Sequence, residues 1–348
     1  MKKPKTILFL GETYRADAQS WIQGIEETSG IKIDTLEVAG TKTRMERILK
    51  FLSFGWGILN TNFNKSYDLV LAERATSYGF FSLFVRAKKR IVAQQGITDA
   101  WPETGFSGVY KRFFQKTVYT RVDLVHAWGQ VMVPAMLASG ADPEKIMILP
   151  KGMDLSRYQF PSRENKESNL AIVTRSLTDV YHHEDILQAI AIVRSKGLIM
   201  NLMIVGDGPR LDELKRLSID LAIQDQVQFL GRIPNAELPR LLQKAKIYIS
   251  VPETEGVSAS LFEALASGCF PIVTDLLGTR VFINSGKNGI LVPVGNSEKL
   301  AEVLILFMEN SDQFESAILE NRAFIENEVD LKKNMNLIWA RYIETFNS

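Results

Sequence analysis

A chain of 348 residues, 46% hydrophobic and 23% charged, is too long for one typical domain and has apolar material for two cores, which excludes a disordered or fibrous protein. Its single cysteine, Cys269, excludes an internal disulfide framework and fits a reducing cytoplasm; beside a strand it is expected as buried apolar filler. The formal charge of +1 hides an asymmetry, +6 up to Pro150 and −5 beyond it. A basic half without aromatic and basic interleaving on a nucleic-acid module points away from nucleic acid and toward an anionic membrane surface. No run of 18 apolar residues occurs, and the N-terminal apolar run is too short for a signal peptide, so a cytoplasmic protein, peripheral on the inner face of the membrane, is expected.

The chain opens β-then-α. KTILFL (5–10) reads as a buried strand, followed by a polar turn from Gly11 and a helix near Ala18–Glu27. Gly11 and Arg15 can approach a ligand here or can form an ordinary strand-to-helix loop, since no Gly-x-Gly-x-x-Gly is present. The stretch 42–63 mixes cations with Ile48, Phe54, Trp56 and Leu59, and its apolar face either packs on the domain or rests on an anionic leaflet. DLVLAE (68–73), RIVAQQG (90–96), DLVHAWG (123–129) and IMILP (146–150) read as strands, with helices near 109–121 and 131–138 between the later ones. This alternation predicts a parallel, doubly wound sheet, and it places Glu73, Arg74, Gln95 and Asp99 at strand ends facing a cleft.

Residues 150–169 are rich in Ser, Pro and charge and read as a linker. The alternation then restarts with strands at NLAIVTR (169–175), NLMIVGDGP (201–209), VQFLGRI (227–233) and KIYISV (246–251), separated by helices near 184–196, 209–221 and 237–244. The expected division is therefore a first Rossmann-like domain over 1–150, a linker over 151–168, a second domain over 169–328, and a helix over 329–348. Gly206 and Gly208 form a tight turn, with or without a ligand. His182 and His183 are expected as surface residues at a helix start rather than metal ligands, because sequence neighbours point apart on a helix.

Chemistry concentrates in SVPETEGVSASLFEALASGCFPIVTD (250–275). Glu255 lies in a loop, Ser258 fits a helix cap, and Glu263 lies inside the helix that follows. The helix start after Gly256, through Ser258, Ala259 and Ser260, offers unpaired N–H groups to a phosphate, while the carboxylates suit sugar hydroxyls. The stretch resembles the signature of retaining glycosyltransferases of family 4, roughly E-G-F-[GS]-x-x-L-x-E-A-x-A-x-G-x-P-V. PKGMDLSRYQF resembles that family's P-N-G-V-D-x-x-x-F, and VGDGPRLDEL and VQFLGRIPNAEL resemble its nucleotide-facing turns.

The resemblance implies a GT-B architecture: two Rossmann-like domains facing a cleft, the C-terminal helix crossing back to the first. It implies metal-independent transfer of a sugar, with retention, from a UDP- or GDP-sugar to a glycan or lipid-linked acceptor, in bacterial cell-surface polysaccharide synthesis. No cofactor is expected beyond the donor. By the resemblance Arg175 holds the diphosphate, Glu255 the sugar hydroxyls and Glu263 the ribose, with Gly208, Arg232 and Ile233 beside the nucleotide. Tyr181 stands where the family commonly has a lysine, and Gln95-Gly96 where many members have His-Gly. The rival readings are a non-catalytic nucleotide-sugar-binding subunit and a nucleotide-sugar epimerase. A nicotinamide oxidoreductase lacks its third glycine, since Leu211 stands there.

Overall fold

The computed structural model describes residues 2–37, 44–95, 105–162, 166–256 and 258–348. They form two units, Met1–Gly152 with Leu331–Ser348, and Met153–Asp330. Unit 1 runs β1 (Ile7–Leu10), α1 (Ala16–Ser29), β2 (Ile33–Leu36), α2 (Arg44–Asn64), β3 (Tyr67–Glu73), α3 (Tyr78–Ser82), β4 (Ala87–Gln94), α4 (Gly105–Tyr119), β5 (Leu124–Ala127), α5 (Val133–Ala138) and β6 (Ile146–Ile148). Its parallel sheet has the order β2-β1-β3-β4-β5-β6. Every residue of β1 and β5 is buried, as expected when helices cover both faces of a parallel sheet.

The strand order of this sheet reverses between β1 and β3, so their C-terminal ends frame a crevice. Glu73, expected at this strand end to face a cleft, is fully buried. Its carboxylate accepts the Glu12 N–H and the Gln95 side-chain amide, both at 2.9 Å. Gly11 favours the closure: a Cβ there would stand 2.5 Å from the Phe9 ring and 2.7 Å from the Glu73 Oε2, so glycine leaves room for the turn over the carboxylate. Burial pushes the Glu73 pKa up despite those hydrogen bonds. Arg74, in the left-handed region at φ 58°, donates to Glu12 at 2.8 Å. Asp99 and Gly96 lie outside the described residues.

Unit 2 runs β7 (Glu167–Val173), α6 (His183–Ser195), β8 (Asn201–Val205), α7 (Leu211–Asp220), β9 (Val227–Gly231), α8 (Leu238–Lys244), β10 (Ala245–Ser250), α9 (Ala259–Ala266), β11 (Phe270–Thr274), α10 (Leu277–Arg280), β12 (Ile290–Val292), α11 (Ser297–Glu309) and α12 (Glu315–Glu328). The sheet is parallel, in the order β12-β11-β10-β7-β8-β9, and its reversal falls between β7 and β10. Separate apolar cores fill its two faces, one around Ile190, Ile247 and Phe307, the other around Tyr248, Leu265 and Ile325. Both units are thus Rossmann-like and doubly wound.

The run expected as a linker is in part built into unit 2. The Met153 N–H donates to the Val329 carbonyl at 2.8 Å, and Tyr158 is buried among α9 and α12 residues. Cys269 is fully buried, as expected, and burial holds its thiol pKa up. Its Sγ and the Lys166 ammonium both reach the Leu242 and Ala245 carbonyls at the end of α8, where a positive charge favours the helix dipole.

The last helix, α13 (Leu331–Asn347), belongs to unit 1 and lies against α1, where a Cβ on Gly24 would meet Met335 at 2.7 Å. Its Tyr342 hydroxyl stands 2.7 Å from His126 Nδ1, and His126 Nε2 stands 2.7 Å from the Leu149 carbonyl. A carbonyl only accepts, so Nε2 carries the proton and Tyr342 donates to Nδ1. Burial lowers the His126 pKa from 6.5 to about 4. The unfolded chain therefore binds a proton that the native state refuses, and stability is complete above pH 6.5 and falls as the pH drops toward 4. The expected loss is about 3 kcal/mol at its limit. Thermal melts across that window check it, and His126→Gln should make the dependence shallower.

Candidate functional site

β7 and β10 diverge on either side of the reversal in the second sheet, and the groups leaving their C-terminal ends meet there. Arg175 follows β7. Its Nε donates to the Ser250 hydroxyl, at the end of β10, at 3.1 Å, and its Nη2 donates to both the Glu255 carboxylate and the Ser258 hydroxyl. The Tyr181 ring lies 5.2 Å from the guanidinium carbon. Three polar groups and one aromatic face therefore fix a single arginine. Tyr181 supplies no cation; it supplies a surface on which the existing cation rests.

The loop carrying Glu255 is tied down from beneath. The Glu253 N–H donates to the Val180 carbonyl and the Thr274 hydroxyl to the Pro252 carbonyl, both at 2.8 Å. A Cβ on Gly278, at the start of α10, would stand 2.4 Å from the Glu255 and Gly256 carbonyls. α9 then begins with Ser258 as its cap, the hydroxyl accepting from the Leu261 N–H at 3.3 Å. Ala259 and Ser260 form its first turn, whose N–H groups have no intrahelical acceptor and carry the positive end of the helix dipole. Val257 lies outside the described residues.

The glycines after β8 seat the arginine turn. A Cβ on Gly206 would stand 2.0 Å from the Arg175 carbonyl, and one on Gly208 would stand 2.4 Å from the Leu177 carbonyl. Leu177 N–H donates to Asp207 O and Arg210 N–H to Leu177 O, each at 3.1 Å, so two loops are laced backbone to backbone. The tight turn foreseen at Gly206 and Gly208 thus has a reason in chain packing.

Glu263, one turn further into α9, is partly buried, and burial raises its pKa. Its Oε1 accepts the Tyr158 hydroxyl at 2.8 Å. Tyr158 was overlooked as a functional side chain, although it occupies the phenylalanine position of the P-N-G-V-D-x-x-x-F pattern and differs from it by the hydroxyl that reaches Glu263. Arg322, from α12, donates to the Tyr158 carbonyl at 2.7 Å and the Ala266 carbonyl at 2.6 Å, joining this segment to the C-terminal end of α9.

Arg232 and Ile233 follow β9. Arg232 is exposed, and Ile233 packs partly buried against the core that contains Leu261 and Phe262. Neither touches the Arg175 cluster through a hydrogen bond, and Gly208 meets it only through the backbone of residues 175–177. His183, expected at the surface, is buried, its ring 6.4 Å from that of Tyr181. The left-handed conformation of His182, at φ 45°, turns the first residue of α6 inward, and burial lowers the His183 pKa to about 4. Among the described residues no three His, Cys, Asp or Glu side chains cluster so as to hold a metal ion.

The arrangement joins a largely buried guanidinium, a helix N-terminus and a carboxylate at the strand-order reversal, although 80 residues of chain separate Arg175 from Glu255. The first two suit phosphate oxygens, the third suits hydroxyl donors.

Residues 156–327 match the family of glycosyl transferases group 1. Among curated proteins the chain is 26% identical over 213 residues to a putative colanic acid biosynthesis glycosyltransferase, WcaL, of Salmonella typhimurium, covering 59% of this chain and 52% of that one. It is 26% identical over 200 residues to the amylovoran biosynthesis glycosyltransferase AmsK of Erwinia amylovora, covering 56% and 49%. The chain thus spans about half the length of these two relatives. Among solved structures, Anabaena Alr3699/HepE in complex with UDP aligns with a TM-score of 0.77 at 16% identity, over 98% of this chain and all of that one. Sucrose-phosphate synthase of Thermosynechococcus elongatus aligns with a TM-score of 0.80 at 12% identity, over 99% of both.

Proposed function

We propose that this chain, whose residues 156–327 form a glycosyl transferases group 1 domain within a GT-B fold, transfers a sugar with retention from a UDP- or GDP-sugar to a glycan or lipid-linked acceptor. One observation carries the reading: Arg175 is held between Glu255 and Ser258 at the strand-order reversal of unit 2, beside the N-terminus of α9. The names of the relatives support a role in bacterial surface polysaccharide synthesis, and the UDP in Anabaena Alr3699/HepE supports a uridine nucleotide.

In this reading the donor diphosphate takes over the guanidinium of Arg175 and the N–H groups of Ala259 and Ser260. Glu255, released from the arginine, accepts hydroxyls of the sugar, and Glu263, oriented by Tyr158, accepts those of the ribose. As the bond from the anomeric carbon to the leaving phosphate breaks, negative charge grows on the diphosphate, where Arg175 and the helix start stabilise it without a metal ion. The acceptor oxygen attacks from the same face and its proton passes to the departing phosphate oxygen, so configuration is retained.

A thermal-shift series with UDP, GDP and ADP tests the donor. Each nucleotide is titrated upward, and the preferred one should raise stability by about 2.7 kcal/mol at a hundred times its dissociation constant. Glu263→Ala should diminish that shift. If no nucleotide stabilises the protein, the donor reading fails.

A further inference from the structure

Two helices of unit 1 are apolar on the side facing solvent as well as on the side facing the sheet. α2 buries Phe54 and Ile58, yet leaves Trp56 at 74%, Leu59 at 52% and Phe63 at 89% exposure. Their spacing of three and four residues sets those three on one outward stripe. α4 repeats the pattern: Val118 and Tyr119 are buried while Tyr110 and Phe113 are 45% and 64% exposed.

A corner after α3 joins the two stripes. Phe84, 56% exposed, lies 5.3 Å from the Phe80 ring, which lies 4.6 Å from Phe114 on α4, itself 6.2 Å from Tyr110. On the other side, the Asn62 amide near the end of α2 donates to the Phe84 carbonyl at 2.8 Å and accepts the Arg86 N–H at 2.7 Å. The sequence pointed only to residues 42–63; the fold extends the surface to three elements.

Charge selects the occupant. The segments 44–64, 78–86 and 105–119 together hold seven Lys and Arg against one acid, Glu46. Unit 1 as a whole carries 24 Lys and Arg against 15 Asp and Glu, whereas unit 2 carries 17 against 25. A second copy docked through the same face would set these cations against themselves. A lipid surface with anionic headgroups answers both features, phosphates for the cations and the acyl boundary for the rings. No described helix is long and apolar enough to cross a membrane, so the contact is interfacial.

We propose that this face seats unit 1 on an anionic bilayer, with Trp56, Phe63, Phe84 and Phe113 at the acyl boundary and Arg86, Arg112 and Lys116 at the headgroup phosphates. The proposal stands apart from the donor reading, since lipid binding needs no nucleotide.

The full chain is sedimented with vesicles of phosphatidylcholine alone and of phosphatidylcholine mixed with phosphatidylglycerol. Binding to the mixed vesicles, weakened by salt, is expected. Trp56→Ser with Phe63→Ser and Phe113→Ser should lower the partition coefficient at least about tenfold with the melting temperature retained. Arg112→Glu with Lys116→Glu, which leaves the rings in place, should reduce binding to the anionic vesicles selectively. Failure to bind mixed vesicles, equal binding to phosphatidylcholine alone, or self-association through the aromatic face without vesicle binding would each overturn the proposal.

Discussion

Arg175→Ala is expected to lower turnover by about 10²–10³. Glu255→Gln should separate two effects that the arginine substitution combines. Arg175 is engaged by the Glu255 carboxylate, so a nucleotide must compete with that ion pair to reach the guanidinium. Neutralising Glu255 removes the competitor. UDP affinity should hold or rise, while turnover falls because the sugar loses its acceptor group. Calorimetric titration with UDP together with initial rates checks this. A Glu255→Gln protein that binds UDP more weakly in proportion to its lost activity would refute the exchange of partners.

Gly206→Ala is the substitution with the largest expected effect on stability. The added methyl would stand 2.0 Å from the Arg175 carbonyl, a backbone atom that cannot swing aside as a side chain can. The φ of 154° at Gly206 adds to the strain of any larger residue. Overpacking of this kind costs about 1–3 kcal/mol and displaces the turn from which Arg175 extends. Urea denaturation and UDP titration should both register the change. Gly197→Ala is the control: it also has positive φ, at 81°, but a Cβ there has nothing within 4 Å. It should lose stability through strain while keeping its UDP affinity.

Much of the fold could be read because strands buried on both faces are written as continuous apolar runs, as at Ile7–Leu10 and Ile247–Ile249. β2 was missed for the converse reason: it lies at the sheet edge, and Asp34 and Thr35 interrupt its apolar run. Arg175, Glu255 and Ser258 were legible because strand ends and a helix cap have local signatures. Tyr158 and Gly278 had none. Tyr158 matters through a carboxylate 105 residues away, and Gly278 through carbonyls contributed by another loop. Glu73 shows the limit most plainly: its place at a strand end was foreseen, yet whether it meets solvent depended on a glycine turn closing over it.

The placement of α13 bears on how the molecule comes into being. Unit 2 is one continuous stretch of chain, whereas unit 1 is interrupted by it and completed only by residues 331–348. As synthesis proceeds from the N-terminus, the domain begun first is therefore finished last. Until Met335 and Tyr342 emerge, Gly24 lacks its contact with Met335, His126 lacks the Tyr342 hydroxyl, and the face of α1 that α13 covers stays open. The nascent protein thus holds a complete second domain beside an unfinished first one, and α13 acts as the latch that closes unit 1.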